Sequence, residues 1–305
     1  MQTFSEKVKE ELTHFEYDDF AIKAILSSFI TNNMIISFNK GIERWEFRSQ
    51  FQSIVKFIAT IFKRLYSITL TFSYTQINPL NKKRTYKLTI EGDFSIISKN
   101  LELGEAYPHS ILKKTLHQRA YLIGAFLSAG SISSIEKSIY HLEIRSNKIN
   151  YLRLLQKILD QFNISVTLLK RKNHYVLYIK KASDVSDFLK IIGANNCMHL
   201  LEDKIIARDY YTNIQRLSNL DIANLHKSSS AGAQQVKMIK QIRTTKLFQQ
   251  SSDKFKFYCS IRLQNPEVSL SEMVRIFQNK YQIKITRTGI NHYVMKIKTL
   301  YALMQ

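Results

Sequence analysis

Over the first two thirds of the chain the apolar positions repeat. Ile54, Val55, Phe57, Ile58, Ile61, Phe62 and Leu65 fall at the i, i+3, i+4, i+7 spacing of one helix face. At an offset of 97, Tyr151, Leu152, Leu154, Leu155, Ile158, Leu159 and Phe162 fall the same way, and Glu46-Phe47-Arg48-Ser49 returns as Glu143-Ile144-Arg145-Ser146. An alternating stretch precedes each helix, at 44–48 and 139–145, as in a strand with one wet face. Two more strands follow each helix, near 67–75 and 84–91, then 165–171 and 174–181. Each unit closes on a short helix, near 93–99 and 183–191, and opens on an apolar helix, near 20–33 and 117–129. The pattern predicts an α+β domain over residues 1–198, two copies of α-β-β-α-β-β-α at about 15–100 and 112–195. Each copy is expected to form a small mixed sheet with helices on one face. The opening helices are expected to pack together about a pseudo-two-fold axis.

From residue 199 the pattern is helical throughout. Leu200, Leu201, Ile205 and Ile206 suggest the apolar stripe of a first helix, and Ser228–Ala233 reads as a linker or as a small-residue helix. A helix over 253–264 ends at Asn265-Pro266. Ser269 and Glu272 form a capping-box pattern opening another, whose inner face is Leu270, Met273, Val274 and Phe277. After a turn, 286–297 places Ile290, Val294 and Ile297 on one side and leaves Arg287, Thr288, Asn291, His292 and Lys296 for the other. Helix, turn and a basic, Asn-bearing helix is the pattern of a helix-turn-helix, here about 269–301. Asn pairs bidentately with adenine and Arg with guanine. An amphipathic surface helix with solvated charge has the same pattern.

Charge bears on that choice. The 305 residues carry 45 Lys and Arg against 24 Asp and Glu, a net +21. Residues 1–198 hold +11 and residues 199–305 hold +10 in roughly half the length. The excess favours a polyanionic partner, and the C-terminal third as its place of contact. Two cysteines, Cys197 and Cys259, exclude a disulfide framework and are expected to be reduced thiols of a cytoplasmic protein. No apolar run reaches the roughly 18 residues of a membrane span, and the N-terminus lacks a secretory apolar region. Phosphate-cradling glycine loops and a nucleophile elbow are absent from the sequence, and the eight histidines are scattered, with only His199 near Cys197. Neither a metal nor another cofactor is expected. Arg44, Glu46 and Arg48, with His141, Glu143 and Arg145, fit a DNA-facing saddle or a solvated sheet face. The interspersed acids favour the second reading.

The helix opening copy two reads Leu122-Ile123-Gly124-Ala125-Phe126-Leu127-Ser128-Ala129-Gly130. With the duplication, it resembles the LAGLIDADG homing-endonuclease fold. The resemblance implies that the two motif helices meet at the domain centre and that each would deliver an acid, just before the last Gly, to a divalent cation. The matching positions are Ala129 and, in copy one at an offset of 96, Asn33; neither is a carboxylate, so no nuclease activity is expected. A working endonuclease would need another acid, for instance Glu136 or Asp19, and an RNA- or protein-interaction module is the remaining alternative.

A wider resemblance covers nearly the whole chain in order. Its segments are 120–131, 140–144, Phe188-Leu189 with Ile192-Gly193-Ala194, Glu202 to Asp209, Asn213 with Arg216-Leu217 and Asn219, Ala223-Asn224-Leu225 with Lys227, and Gly289 to His292 with Lys296-Ile297. Together they resemble the WhiA family of bacterial transcriptional regulators and cell-division factors. The resemblance implies a degenerate LAGLIDADG domain joined to a C-terminal helix-turn-helix domain. It also implies duplex DNA as partner, transcriptional control linked to cell division and chromosome segregation, and a cytoplasmic, nucleoid-associated location. A protein partner docking on residues 1–198 fits the same picture. Tyr293 and Met295 stand where the family usually has Arg, which lowers the positive charge there. The expected groove contacts are Arg287, Thr288, Asn291 and His292, with Ser269, Lys284, Lys296 and Lys298 positioning phosphates.

Overall fold

In the computed structural model, residues 2–39, 42–74, 84–92, 94–133 and 140–304 are described. The chain divides into two compact units, Met1–Ala207 and Arg208–Gln305.

The first unit opens on α1 (Phe4–Thr13), whose capping box is Thr3 with Glu6. Copy one follows as α2 (Asp19–Asn33), β1 (Ile35–Asn39), β2 (Ile42–Ser49), α3 (Gln52–Leu65), β3 (Thr69–Tyr74), β4 (Tyr86–Glu91) and α4 (Ser95–Asn100). Copy two repeats the order as α5 (Thr115–Ala129), β5 (Gly130–Ile132), β6 (Leu142–Ser146), α6 (Ile149–Gln161), β7 (Thr167–Lys170), β8 (Tyr175–Ile179) and α7 (Ala182–Ile191). The predicted positions 75, 93, 136 and 139 lie outside the described residues.

The sheets run β1-β2-β4-β3 and β5-β6-β8-β7, and every pairing is antiparallel, not mixed as the sequence suggested. The reason is the second hairpin. Helix α3 returns the chain so that β3 runs in the same direction as β2, but β4 inserts between them. In sheet one Trp45 lies opposite Ile90 and Phe47 opposite Leu88, and in sheet two Ile144 lies opposite Leu177, all six buried. Onto these inner faces pack α3, through Ile54, Val55, Ile58 and Phe62, and α6, through Leu152, Leu155, Ile158 and Leu159.

Helices α2 and α5 pack at the centre. A Cβ on Gly124 would lie 2.3 Å from the Ile25 carbonyl oxygen, so the backbones approach as closely as glycine permits. Tyr151 is buried beneath them, its hydroxyl 2.8 Å from Ser28 Oγ.

Helix α1 lies ahead of the first repeat. Phe4, Val8 and Leu12 bury one face of it, and so does Lys9, which is 6% exposed. The Lys9 ammonium sits 5.1 Å from the Phe51 ring centre and 5.7 Å from that of Phe126. Burial pushes its pKa down to about 8, against the opposing pull of Glu6. The unfolded chain therefore holds more protons than the folded one between pH 8 and about 10.4, and stability should rise with pH across that window. Lys9→Met is expected to flatten this rise and to stabilise the protein at pH 7 by about 2 kcal/mol. Urea unfolding at pH 7 and pH 10 measures both, and an unchanged slope in the variant would exclude Lys9 as its source.

Helix α8 (Asn195–Ile242) begins on a cap supplied from a distance. The Glu11 carboxylate accepts from the N–H groups of Asn196 and Cys197 at 2.8 and 3.0 Å. Burial, with Glu11 adding to it, pushes the Cys197 thiol up to about 12, so it is a protonated packing group. The predicted stripe of α8 is corrected: Leu201 is buried and Ile205 half-buried, but Leu200 and Ile206 are 45% and 66% exposed. Adjacent residues point 100° apart on a helix, so these four cannot share one face.

In the second unit the C-terminal part of α8 is followed by α9 (Lys246–Gln249), α10 (Asp253–Gln264), α11 (Leu270–Tyr281) and α12 (Arg287–Ala302). Ile239, Ile242, Phe255, Tyr258, Met273, Phe277, Ile290, Val294 and Ile297 form its core. Ser228–Ala233 is helix and not linker, and a Cβ on Gly232 would lie 1.8 Å from the Pro266 carbonyl oxygen. Pro266 belongs to the α10–α11 loop, which buried Arg262 holds by donating to the carbonyls of Val268 (2.6 Å) and Asn265 (3.4 Å).

Candidate nucleic-acid interface

Helices α11 and α12 form the candidate reading head. Ser269 starts α11: its hydroxyl oxygen accepts from the Glu272 N–H at 3.2 Å, and its own N–H donates to the Glu272 carboxylate at 2.9 Å. The Ser269 N–H, and with it the Ser269 side chain, hold the Glu272 carboxyl below the usual range. Gln282 ends the helix in the left-handed region, at φ 56°, and the chain turns through Lys284 to Thr286. Thr286 caps α12 by accepting from the Gly289 N–H at 3.1 Å.

The inner face of α12 buries Ile290, Val294 and Ile297 in one core with Met273 and Phe277. Its outer face exposes Arg287, Thr288, Asn291, His292, Met295, Lys298 and Thr299. At 3.6 residues per turn, Arg287, Asn291 and Lys298 form one row and Thr288, His292 and Thr299 the next, with Met295 between them. Lys284 is exposed in the turn before the helix.

Lys296 stands apart from this group. It is half-buried, with its ammonium 4.8 Å from the Phe255 ring centre. Lying nine residues from Arg287, it falls half a turn away, a separation the spacing alone already encodes. Tyr293 packs on Tyr258 and Phe255, with ring centres 5.4 and 6.0 Å apart. Of the two positions where Arg was expected, one therefore serves the core, and the other, Met295, puts an apolar side chain 53% exposed among the polar ones.

At the centre of the first unit Asn33 and Ala129, the two positions matched to the motif acids, end α2 and α5. Asn33 Nδ2 donates to the Ser128 carbonyl at 3.0 Å, and Asn32 Nδ2 donates to Ser128 Oγ (2.8 Å) and to the Arg145 carbonyl (3.0 Å). Ala129 has no polar side-chain atom to offer. Asp19 lies at the opposite end of α2, 3.0 Å from Arg64, about 21 Å of helix away from Asn33. Glu136 lies outside the described residues. Among the described residues no three His, Cys, Asp or Glu side chains are grouped to hold a metal ion.

The outer sheet faces carry paired charge. Glu46 binds Arg48 at 2.6 Å and also Lys87; burial raises its carboxyl, but these two cations outweigh that and hold it low. Its repeat partner Glu143 lies 3.2 Å from Arg145 and 3.6 Å from Arg171, while Arg44 donates to Glu91 at 2.8 Å. Each acid partly neutralises the cations a phosphate would need, which supports the solvated reading of these faces.

The comparisons bear on both units. A family model described as the WhiA LAGLIDADG-like domain matches residues 118–211, and one described as the WhiA C-terminal HTH domain matches residues 214–301. A relative from Lysinibacillus sphaericus, named probable cell division protein WhiA, is 30% identical over 302 residues, covering 97% of this chain and 95% of its own. The chain belongs to the WhiA family. A relative of the same name from Listeria welshimeri is 29% identical over 97% of this chain and 93% of its own. The crystal structure of full-length WhiA from Thermotoga maritima covers 99% of both chains at a TM-score of 0.61 and 23% identity, a likeness of fold. A WhiA N-terminal LAGLIDADG domain structure covers 63% of this chain and 91% of its own, at a TM-score of 0.53 and 26% identity. The α+β class, with a duplicated LAGLIDADG-like domain followed by a helix-turn-helix, is that of the family. Among the described residues no helix is long and apolar enough to cross a membrane.

Proposed function

We propose that this WhiA-family member binds duplex DNA sequence-selectively through the outer face of α12. It does so as a regulator of genes serving cell division and chromosome segregation, in the nucleoid. The observation that carries the reading is the exposed row Arg287, Asn291 and Lys298 beside Thr288 and His292, on a helix whose opposite side is buried in its own domain. A helix presented in this way fits the major groove, where Asn and Arg distinguish base pairs. Arg287, Thr288, Asn291 and His292 read base edges. Lys284 and Lys298 contact phosphates, and Ser269 positions one from the start of α11. Lys296 supports the head from the side of Phe255. The curated relatives' names connect the chain to cell division. Residues 1–198 act as a scaffold that does not cut DNA, because the donor amides of Asn32 and Asn33 and the methyl of Ala129 supply no carboxylate for a catalytic cation.

Asn291→Ala is expected to cost about 1–3 kcal/mol in binding a specific site and to relax base preference there. Lys298→Ala should instead weaken all duplexes alike and reduce the salt slope by about one unit. The decisive experiment is retention of sheared genomic fragments by the full-length protein with magnesium present, followed by sequencing. Intact fragments enriched in a few promoter regions are expected. Intact fragments without enrichment would reduce the role of α12 to charge alone, and fragments cut at a common site would overturn the non-cutting reading.

A further inference from the structure

A cavity of about 500 Å3 opens at the start of α6, within the first unit. Its wall includes Thr31 of α2, Tyr121 of α5, Lys148 and Asn150 at the α6 start, Tyr175 of β8, and Glu105 of the segment between α4 and α5. Tyr121 is 2% exposed, and among the described residues its hydroxyl has no hydrogen-bond partner. Burial alone pushes its pKa up, so the group is a neutral donor. The neighbouring Tyr151, ring centres 6.2 Å away, is satisfied instead by Ser28. A buried hydroxyl left unpaired costs stability that phenylalanine would spare.

The helix start beside it is also unsatisfied. Ser146 Oγ accepts from the Lys148 N–H at 3.0 Å, and no side chain caps α6. Its first-turn N–H groups, with the helix dipole behind them, suit an anion. The Lys148 ammonium donates to the Thr31 carbonyl at 2.7 Å, which holds it at the rim with donors to spare. The fold does not require these groups. At the offsets of the repeat, copy one has Ile25, Phe51 and Ile54 where Tyr121, Lys148 and Tyr151 stand.

We propose that this cavity binds a small phosphate monoester carrying a flat ring, of the size of a nucleoside monophosphate. The volume is in the range of small-molecule sites. Several N–H groups and an ammonium match the several oxygens of a phosphate. The Tyr175 ring and buried Leu154 supply apolar wall for the flat part, and Tyr121 donates to it from within. Glu105 accepts from a ligand hydroxyl or amine. A duplex backbone does not reach a hydroxyl as buried as that of Tyr121, so the site is separate from the reading head on α12.

Isothermal titration of the full chain with adenosine and guanosine monophosphate, inorganic phosphate and free adenosine tests the proposal. At least one monophosphate should bind about tenfold more tightly than phosphate or adenosine. Tyr121→Phe should weaken that binding about tenfold without lowering the unfolding midpoint, because its hydroxyl has no partner to lose. Lys148→Ala, at an exposed position, should weaken it by a similar factor. Saturating duplex DNA should leave it unchanged. Absence of binding by both monophosphates would overturn the proposal, as would binding that both variants leave intact. Phosphate binding as tightly as the monophosphates would reduce the site to net charge, and displacement by duplex DNA would make its anion a backbone phosphate; either result also overturns it.

Discussion

Gly124→Ala is expected to destabilise the N-terminal unit by about 3 kcal/mol. The sign makes this informative. In an ordinary helix interior the same change stabilises by about 1 kcal/mol, because Gly loses more backbone entropy on folding. Here the new methyl would sit 2.3 Å from the Ile25 carbonyl oxygen and 3.0 Å from its carbonyl carbon and from Ser28 Cβ. The obstacle is backbone, which no rotamer change can move aside. Helices α2 and α5 would have to separate, and Ala24, Ile25, Ala125 and Phe126, all fully buried, would lose contact together. Urea unfolding of the full chain, followed by a probe in the first unit, measures the effect. A stabilised or unchanged variant would show that the two helices do not approach this closely.

Arg262→Ala should cost the C-terminal unit about 3–5 kcal/mol. Arg262 is 1% exposed, and its guanidinium donates to the loop carbonyls of Asn265 and Val268 and hydrogen-bonds the Tyr258 side chain. Beside it, Tyr258 donates to Gln235 of α8 at 3.3 Å, so the network ties α8, α10 and the loop that starts α11. Alanine would strand two carbonyls and leave a cavity, each costly on its own. Lysine should recover only part of the loss, because one ammonium does not reproduce a planar fork. Since the loop sets the start of α11, the Arg262→Ala variant should also bind DNA more weakly at temperatures where it remains folded. A loss of less than about 1 kcal/mol on thermal or denaturant unfolding would mean that the loop holds itself.

Much of this architecture is legible in the amino-acid order, for reasons specific to each element. The α3 and α6 faces are visible because their apolar period is unbroken, and α10 ends where Asn265-Pro266 stops a helix, at Gln264. Strands β1 and β5 leave no such trace. The first is an edge strand with Ile35, Ile36 and Phe38 all exposed, so it shows no alternation, and the second has three residues. Lys9 sits in a charged-looking stretch, and its burial follows from Phe51 and Phe126 arriving from elsewhere in the chain. Arg262 reads as one more surface cation until the loop carbonyls are in place. At the candidate interface the exposed row on α12 follows from helical period, and so does the displacement of Lys296. The core role of Tyr293 depends on Phe255 and Tyr258, which only the tertiary fold brings near.

The joint between α2 and α5 has a consequence for the ancestry of the duplication. Three of its cross-connections are side-chain amide bonds donated by copy one, from Asn32 and Asn33, and accepted by copy two at Ser128 and Arg145. Copy two has Ser128 and Ala129 at the matching positions and cannot return the amides. The glycine that permits close approach belongs to copy two alone, since Ser28 occupies the matching place in copy one. The two halves share one order of elements but not one contact chemistry: amide donors stand on one side of the joint, and their acceptors with the glycine on the other.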